Sequence, residues 1–172
     1  MSNQVVVILD TPLLDSDPWA DAVFRDAALK PVDNHAITRA LSQDSEAKKA
    51  ILAHLDDPMG SQEILSPHYR KALKSLYGDE PRLGIYGTAW LVHVDDVAAC
   101  VVDWSELIKR TTGPNVSDDD RNFSRAHATQ FLHKRVERHL PDKSRYLELE
   151  TGLPEAERIE RTMAFLRERG AL

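Results

Sequence analysis

The sequence predicts an α+β fold, in which a predominantly helical single domain over residues 1–172 carries a small sheet. Three observations lead to this prediction. A short valine-rich run occupies residues 4–10, a second stretch with little helical character covers 84–103, and elsewhere apolar residues recur at helical spacing. A composition of 42% hydrophobic and 29% charged residues is typical of a globular chain that buries a core.

The N-terminal half shows one strand followed by helices. Residues 4–10 are too short for a core helix and favour a buried strand. Asp17 before Pro18 is typical of an N-cap with proline at the first helical position, so we expect a helix that starts there and stops at Pro31. Further helices are expected from Asp33 or Asn34, over 45–55, and from Ser66-Pro67 to Gly78.

Residues 84–103 carry the second β signal. Two apolar arms flank an Asp-Asp pair, which predicts a hairpin that turns at Asp95 and Asp96 and pairs Val94 with Val97. Because Asp-Asp is a poorer two-residue turn than Asn-Gly, the second arm could instead be a helix capped by one of these aspartates.

The pattern of the C-terminal half predicts helices joined by one loop. We expect helices over 105–110, 117–140 and 154–169, with the loop at 111–115. In the last helix Phe165 falls outside the apolar stripe, which is formed by Ala156, Ile159, Met163 and Leu166.

Composition restricts the class of protein. The longest apolar run, Val5–Leu9, is too short for a membrane span, and no basic residue precedes it as in a signal peptide. The single cysteine, Cys100, cannot form an intramolecular disulfide, so nothing indicates an oxidising compartment. We therefore expect a soluble, cytoplasmic protein, and the net charge of −6 argues against general nucleic-acid binding.

Asp10 is the first candidate for chemistry, because it ends an apolar strand where ligand crevices open in α/β sheets. His93 and Asp95 would share one side of a strand and could join it in a metal-dependent hydrolase or nuclease. Alternatively, Asp10 only closes the turn, and His93 and Asp95 face water. Without an HExxH, P-loop, GxSxG or GxGxxG motif, the sequence assigns no catalytic residue, metal ligand or cofactor.

The charge is unevenly distributed. Residues 121–146 hold seven basic against two acidic residues, a local charge of +5 that leaves −11 for the remainder. Helical geometry places His127, Lys134 and Arg138 on one exposed stripe, and Arg145 extends the basic region. Such a stripe could bind a macromolecule or pair with the chain's own acidic residues.

These features favour a non-enzymatic interaction protein, such as a regulator, inhibitor or adaptor, that binds a macromolecular partner through charged helical surfaces. The expected contact residues are His127, Lys134, Arg138, Arg145 and the off-stripe aromatic Phe165. A protein partner is favoured over nucleic acid because the chain is acidic overall. A nucleic-acid-binding regulator that uses residues 121–145 is the further alternative.

Overall fold

A computed structural model describes residues 4–9, 17–53, 62–87, 92, 94–103, 117–119 and 142–172. The strands are β1 (Gln4–Leu9), β2 (Lys30–Pro31), β3 (Arg82–Tyr86), β4 (Val97–Asp103) and β5 (Tyr146–Leu149). The helices described are α1 (Pro18–Asp26), α2 (Asn34–Gln43), α3 (Ser45–Ala53), α4 (Gln62–Tyr77) and α5 (Glu155–Glu168). The strands form one sheet in the order β2-β3-β1-β4-β5, and every neighbouring pair is parallel.

The predicted mixture of helices and strands is confirmed, but the parallel sheet makes the fold α/β, so the predicted α+β class and the hairpin near 84–103 are wrong. β1 lies between β3 and β4, and Val7 pairs with Ile85 on one side and Cys100 on the other. Val94–Asp96 is a single 3-10 turn that leads into β4, and the alternative of a helix over 97–103 is also wrong. Continuous apolar runs suit strands covered on both faces, as in parallel sheets, better than a two-stranded hairpin.

The core has two layers, one on each face of the sheet. Val5, Val7 and Leu9 of β1 pack with α2, α3 and α4. The alternate residues, Val6 and Ile8, pack on the opposite face with α1 and α5. This alternation follows from the two-residue period of a strand. We therefore find an open sheet between two helical layers.

Several predicted helix boundaries are confirmed. Asp17 caps α1, since its side chain accepts a hydrogen bond from the Trp19 amide at 3.3 Å. Asp33 caps α2 by accepting hydrogen bonds from the amides of His35 at 2.8 Å and Ala36 at 3.1 Å. The last helix, predicted over 154–169, is α5.

Proline positions account for two incorrect predictions. Pro31 lies in β2, an edge strand where its missing N–H costs no ladder hydrogen bond, whereas α1 has already ended at Asp26. Pro67 lies inside α4, which begins five residues earlier at Gln62, so the proline does not open the helix. Leu65 and Ser66, which precede it, are helical and buried. β5 was not expected, and the predicted helices over 105–110 and 117–140 lie outside the described residues except for 117–119.

Candidate functional site

The carboxyl edge of the sheet contains a topological switch between β1 and β3. The chain that follows β1 forms α1 on one face, whereas Val92, which follows β3, packs with α2 to α4 on the other. Neighbouring parallel strands whose continuations leave on opposite faces open a crevice at their carboxyl ends. Ligands of open α/β sheets bind in that crevice.

Two hydrogen bonds fix the carboxyl end of β3 beside this switch. The Gly87 amide donates to the Ile8 carbonyl at 2.9 Å, which extends the β1–β3 pairing by one step. Gly87 has a φ of 81°, a left-handed conformation that favours glycine. Asn34 Nδ2 donates to the Tyr86 carbonyl at 2.8 Å and thereby fixes the start of α2 to the end of β3.

Asp33 places a negative charge at the start of α2, next to Asn34. The hydrogen bond from the Ala36 amide is the largest cause that lowers the pKa of Asp33, and His35 and Arg39 act in the same direction. Asp33 is therefore ionised near neutral pH. Its own amide donates to the Tyr77 hydroxyl at 2.6 Å, which joins this end of α2 to α4.

A buried ion pair lies on the α1 and α5 face of the same edge. Asp103 ends β4 and has a fully buried side chain, and its Oδ2 accepts a hydrogen bond from Arg158 Nη1 at 2.9 Å. Arg158 comes from the second turn of α5, and 16% of its side chain is exposed. Its Cζ lies 5.6 Å from the ring centroid of Trp19 in α1. One pair therefore joins β4, α5 and α1.

Unsatisfied hydrogen-bonding groups cluster around this pair. Within the described residues Trp19 Nε1, Arg158 Nε and Thr162 Oγ1 are buried and have no hydrogen-bond partner. Trp19 and Thr162 are completely buried. Thr162 lies four residues after Arg158, so both side chains share one face of α5. A further group of this kind, the Tyr69 hydroxyl, belongs to the core layer on the opposite face of the sheet.

The predicted metal-dependent site is not assembled by the described residues. Asp10 and His93 lie outside them. Leu9, which precedes Asp10, pairs with Val102 near the carboxyl end of β4, whereas Asp95 precedes the first residue of that strand. Leu9 and Asp95 therefore lie at opposite edges of the sheet.

The predicted partner-binding residues are only partly described. His127, Lys134 and Arg138 lie outside the described residues. Arg145 donates from Nη1 to the Val97 carbonyl at 3.1 Å, and its Nε lies 3.4 Å from Asp142 Oδ2. It is half-buried and engaged within the chain.

The structure corrects the prediction made for Phe165. The prediction that it lies outside the buried stripe of the last helix is wrong, because it is 8% exposed and packs in the core layer of α1 and α5. The guanidinium of Arg169 also lies 5.6 Å from its ring centroid. Ala156, which was assigned to the stripe, is instead exposed.

Sequence reasoning did not single out Asp103, Arg158 or Trp19 as a site. Asp103 gave the same signal as Asp10, a carboxylate that ends an apolar strand. Its pairing with Arg158 crosses 55 residues and leaves no local pattern.

Metal and thiol chemistry find no support in the described part of the chain. No group of three or more His, Cys, Asp or Glu residues there is placed to hold a metal ion. Burial raises the pKa of the Cys100 thiol to about 12, so it is not a nucleophile near neutral pH.

The described residues form an open parallel α/β domain with a topological switch at the carboxyl edge of its sheet. The sequence has no significant match among protein-family models or curated proteins. Among the described residues, no helix combines the length and the apolar character that a membrane crossing requires.

Proposed function

We propose that this protein binds a small polar molecule in the crevice between the carboxyl ends of β1 and β3. The observation that supports the proposal is the opposite departure of the two chain continuations, α1 on one face and Val92 on the other. In open α/β sheets this arrangement creates the ligand crevice at the strand ends. Gly87 and Asn34 would contribute backbone and amide groups to its wall.

The positions of the tryptophans add support. Trp19 belongs to the helix after β1, Trp90 follows the end of β3 by four residues, and Trp104 directly follows β4. All three tryptophans of the sequence thus come after the carboxyl ends of central strands. Aromatic side chains commonly line the pockets of small molecules. Trp90 and Trp104 lie outside the described residues, so this support comes from their sequence positions.

The test is a ligand screen read at named positions. A panel of nucleotides, sugars, amino acids and small carboxylates is screened by thermal shift, because a ligand of the folded state raises the melting temperature. Each hit is then mapped by amide NMR. We expect shifts at Asn34 and Gly87, and none at Arg82 or Lys143, which lie at the amino edge. Shifts confined to the amino edge, or no hit, would contradict the proposal.

A pair of variants on one helix sharpens the test. Asn34→Ala removes the amide that joins α2 to the Tyr86 carbonyl, so the affinity of a mapped hit should fall by about fivefold or more. Ser42→Ala is the control, since Ser42 lies near the other end of α2 and its hydroxyl donates only to the Arg39 carbonyl. Equal affinities of the two variants would count against the crevice.

Macromolecular binding through residues 121–145 is a second proposal, and the local charge of +5 supports it. A protein is the favoured partner, with nucleic acid as the alternative.

The metal-dependent hydrolase or nuclease has less support, because Asp95 lies at the amino edge and Asp103 is engaged by Arg158. A cytoplasmic location is proposed from the single cysteine, which is buried and unpaired.

A further inference from the structure

The unsatisfied groups beside the Asp103–Arg158 pair point to the chemistry of the ligand. Trp19 Nε1 and Arg158 Nε can only donate hydrogen bonds, and the Thr162 hydroxyl can donate as well. A buried donor without a partner costs about 1–3 kcal/mol. A group that complements this cluster must therefore be a hydrogen-bond acceptor.

The ion pair determines the charge of that acceptor. The positive charge of Arg158 is already compensated by Asp103, whose carboxylate is completely buried. A second negative charge would lie close to this buried carboxylate, where desolvation and the repulsion between like charges both disfavour it. An uncharged oxygen or ring nitrogen satisfies the same donors without that cost.

We propose that the ligand presents an uncharged acceptor, such as an amide or carbonyl oxygen, to Trp19 Nε1, Arg158 Nε and the Thr162 hydroxyl. This inference rests on the proposed ligand site at the carboxyl edge and names the chemical class of the group bound there. The Arg158 side chain is 16% exposed, so a ligand would reach the cluster past Arg158. Trp19 and Thr162, both completely buried, form the inner end.

Acetamide and acetate are matched probes, since they have nearly the same shape and differ in charge. The readout is the indole N–H resonance of Trp19 in protein labelled with ¹⁵N-tryptophan, assigned with Trp19→Phe. We expect acetamide to shift this resonance in a saturable manner and acetate to leave it unchanged. A response to acetate alone would overturn the inference. If the Trp19 resonance exchanges magnetisation with water and does not shift with acetamide, the indole N–H binds a resident water. That result would also overturn the inference.

Two isosteric variants give an independent control. Thr162→Val should weaken acetamide binding about fivefold, the loss expected for one hydrogen bond. Tyr69→Phe removes a buried unpartnered hydroxyl in the opposite core layer and should leave the binding unchanged. Equal affinities of the two variants would overturn the inference. The crevice proposal is judged separately by the shifts at Asn34 and Gly87, so a failure of the acceptor inference is distinguished from a failure of the crevice itself.

Discussion

Arg158 and Asp103 form a salt bridge of 2.9 Å that fixes α5 to the end of β4, and the carboxylate has no exposed surface. A buried pair of this kind contributes little by comparison with apolar residues of the same size, but the loss of one partner leaves an uncompensated charge. Arg158→Met should therefore lower the free energy of unfolding by about 3–5 kcal/mol in urea titrations.

A second variant of the same helix is the control for this prediction. Arg161 pairs with Glu157 at 2.6 Å and Glu150 at 3.3 Å, but it is exposed, so Arg161→Met should destabilise the fold far less than Arg158→Met. The double variant Arg158→Met with Asp103→Leu removes both charges and should recover most of the lost stability. If Arg158→Met were no more destabilising than Arg161→Met, the pair would not fix α5 to the sheet.

Gly84 in β3 should not tolerate a side chain. A Cβ at this position would lie 2.7 Å from Phe24 Cδ1, and Phe24 is 2% exposed in the layer of α1 and α5. Gly84→Ala therefore forces Phe24 or the strand to move, which costs about 1–3 kcal/mol. Urea unfolding of Gly84→Ala and of the double variant Gly84→Ala with Phe24→Leu checks this. A Gly84→Ala protein as stable as the parent would contradict the close approach of α1 to β3.

The sequence predicted strands and helices better than it predicted their arrangement. β1 is confirmed over Gln4–Leu9, because a short valine-rich run has few other structures available. The arms of 84–103 were paired with each other because they are adjacent in sequence. In the fold both arms pair with β1. The partner residues are more than 70 positions apart in sequence, beginning with Gln4 and Arg82. Parallel pairing of this kind leaves no turn signature in the sequence.

Short edge strands and the site were the least predictable features. β2 has two residues, one of them Pro31, and β5 has four, so neither carries a measurable periodicity. Within the site, Asp103 can be noticed from the sequence, because it is a carboxylate at the end of an apolar run. Arg158 belongs to a helix whose surface is rich in arginine and glutamate, and only the tertiary structure distinguishes it from Arg161.

The pH dependence of stability should reveal Asp44. Its carboxylate accepts hydrogen bonds from Lys71 Nζ at 2.7 Å and from the Glu46 and Ala47 amides at 3.0 and 3.2 Å. The bond from Lys71 is the largest cause that lowers the pKa of Asp44 to about 2. The folded state favours the ionised form, so this contribution is complete above the ordinary pKa of 3.8 and is lost as pH falls towards 2.

Carboxyl NMR and urea unfolding between pH 2 and pH 6 provide the measurement. In Lys71→Met the pKa of Asp44 should rise towards its ordinary value while the two amide bonds still hold it below, and the acid-induced loss of stability should shrink. Lys74→Met is the control, an exposed lysine of the same helix for which no change at Asp44 is expected. An unchanged Asp44 pKa in Lys71→Met would show that the ion pair does not set the value.

The basic stripe gives a prediction that depends on sequence alone. If His127, Lys134 and Arg138 bind a macromolecule, Lys134→Glu with Arg138→Glu should weaken binding sharply and leave the melting temperature nearly unchanged. Exposed charges contribute only about 0–1 kcal/mol to folding. Binding is measured by quantitative capture from a lysate with the parent and variant proteins side by side. Lys48→Glu with Lys49→Glu is the control, because both lysines are exposed on α3 and the change in net charge is the same.

The salt dependence of this binding separates the two kinds of partner. Exposed charges are screened over about 10 Å at 0.1 M salt, so affinity for an acidic protein should fall moderately as salt rises. Nucleic acid would give a steeper logarithmic slope, close to one unit for each phosphate contact, because bound counterions are released. The double charge reversal should reduce that slope by about two units if both side chains contact phosphates. If the Lys134 and Arg138 variant captured the same proteins as the Lys48 and Lys49 control, the stripe would be an ordinary solvated face. The carboxyl-edge crevice would then be the remaining proposed site of function.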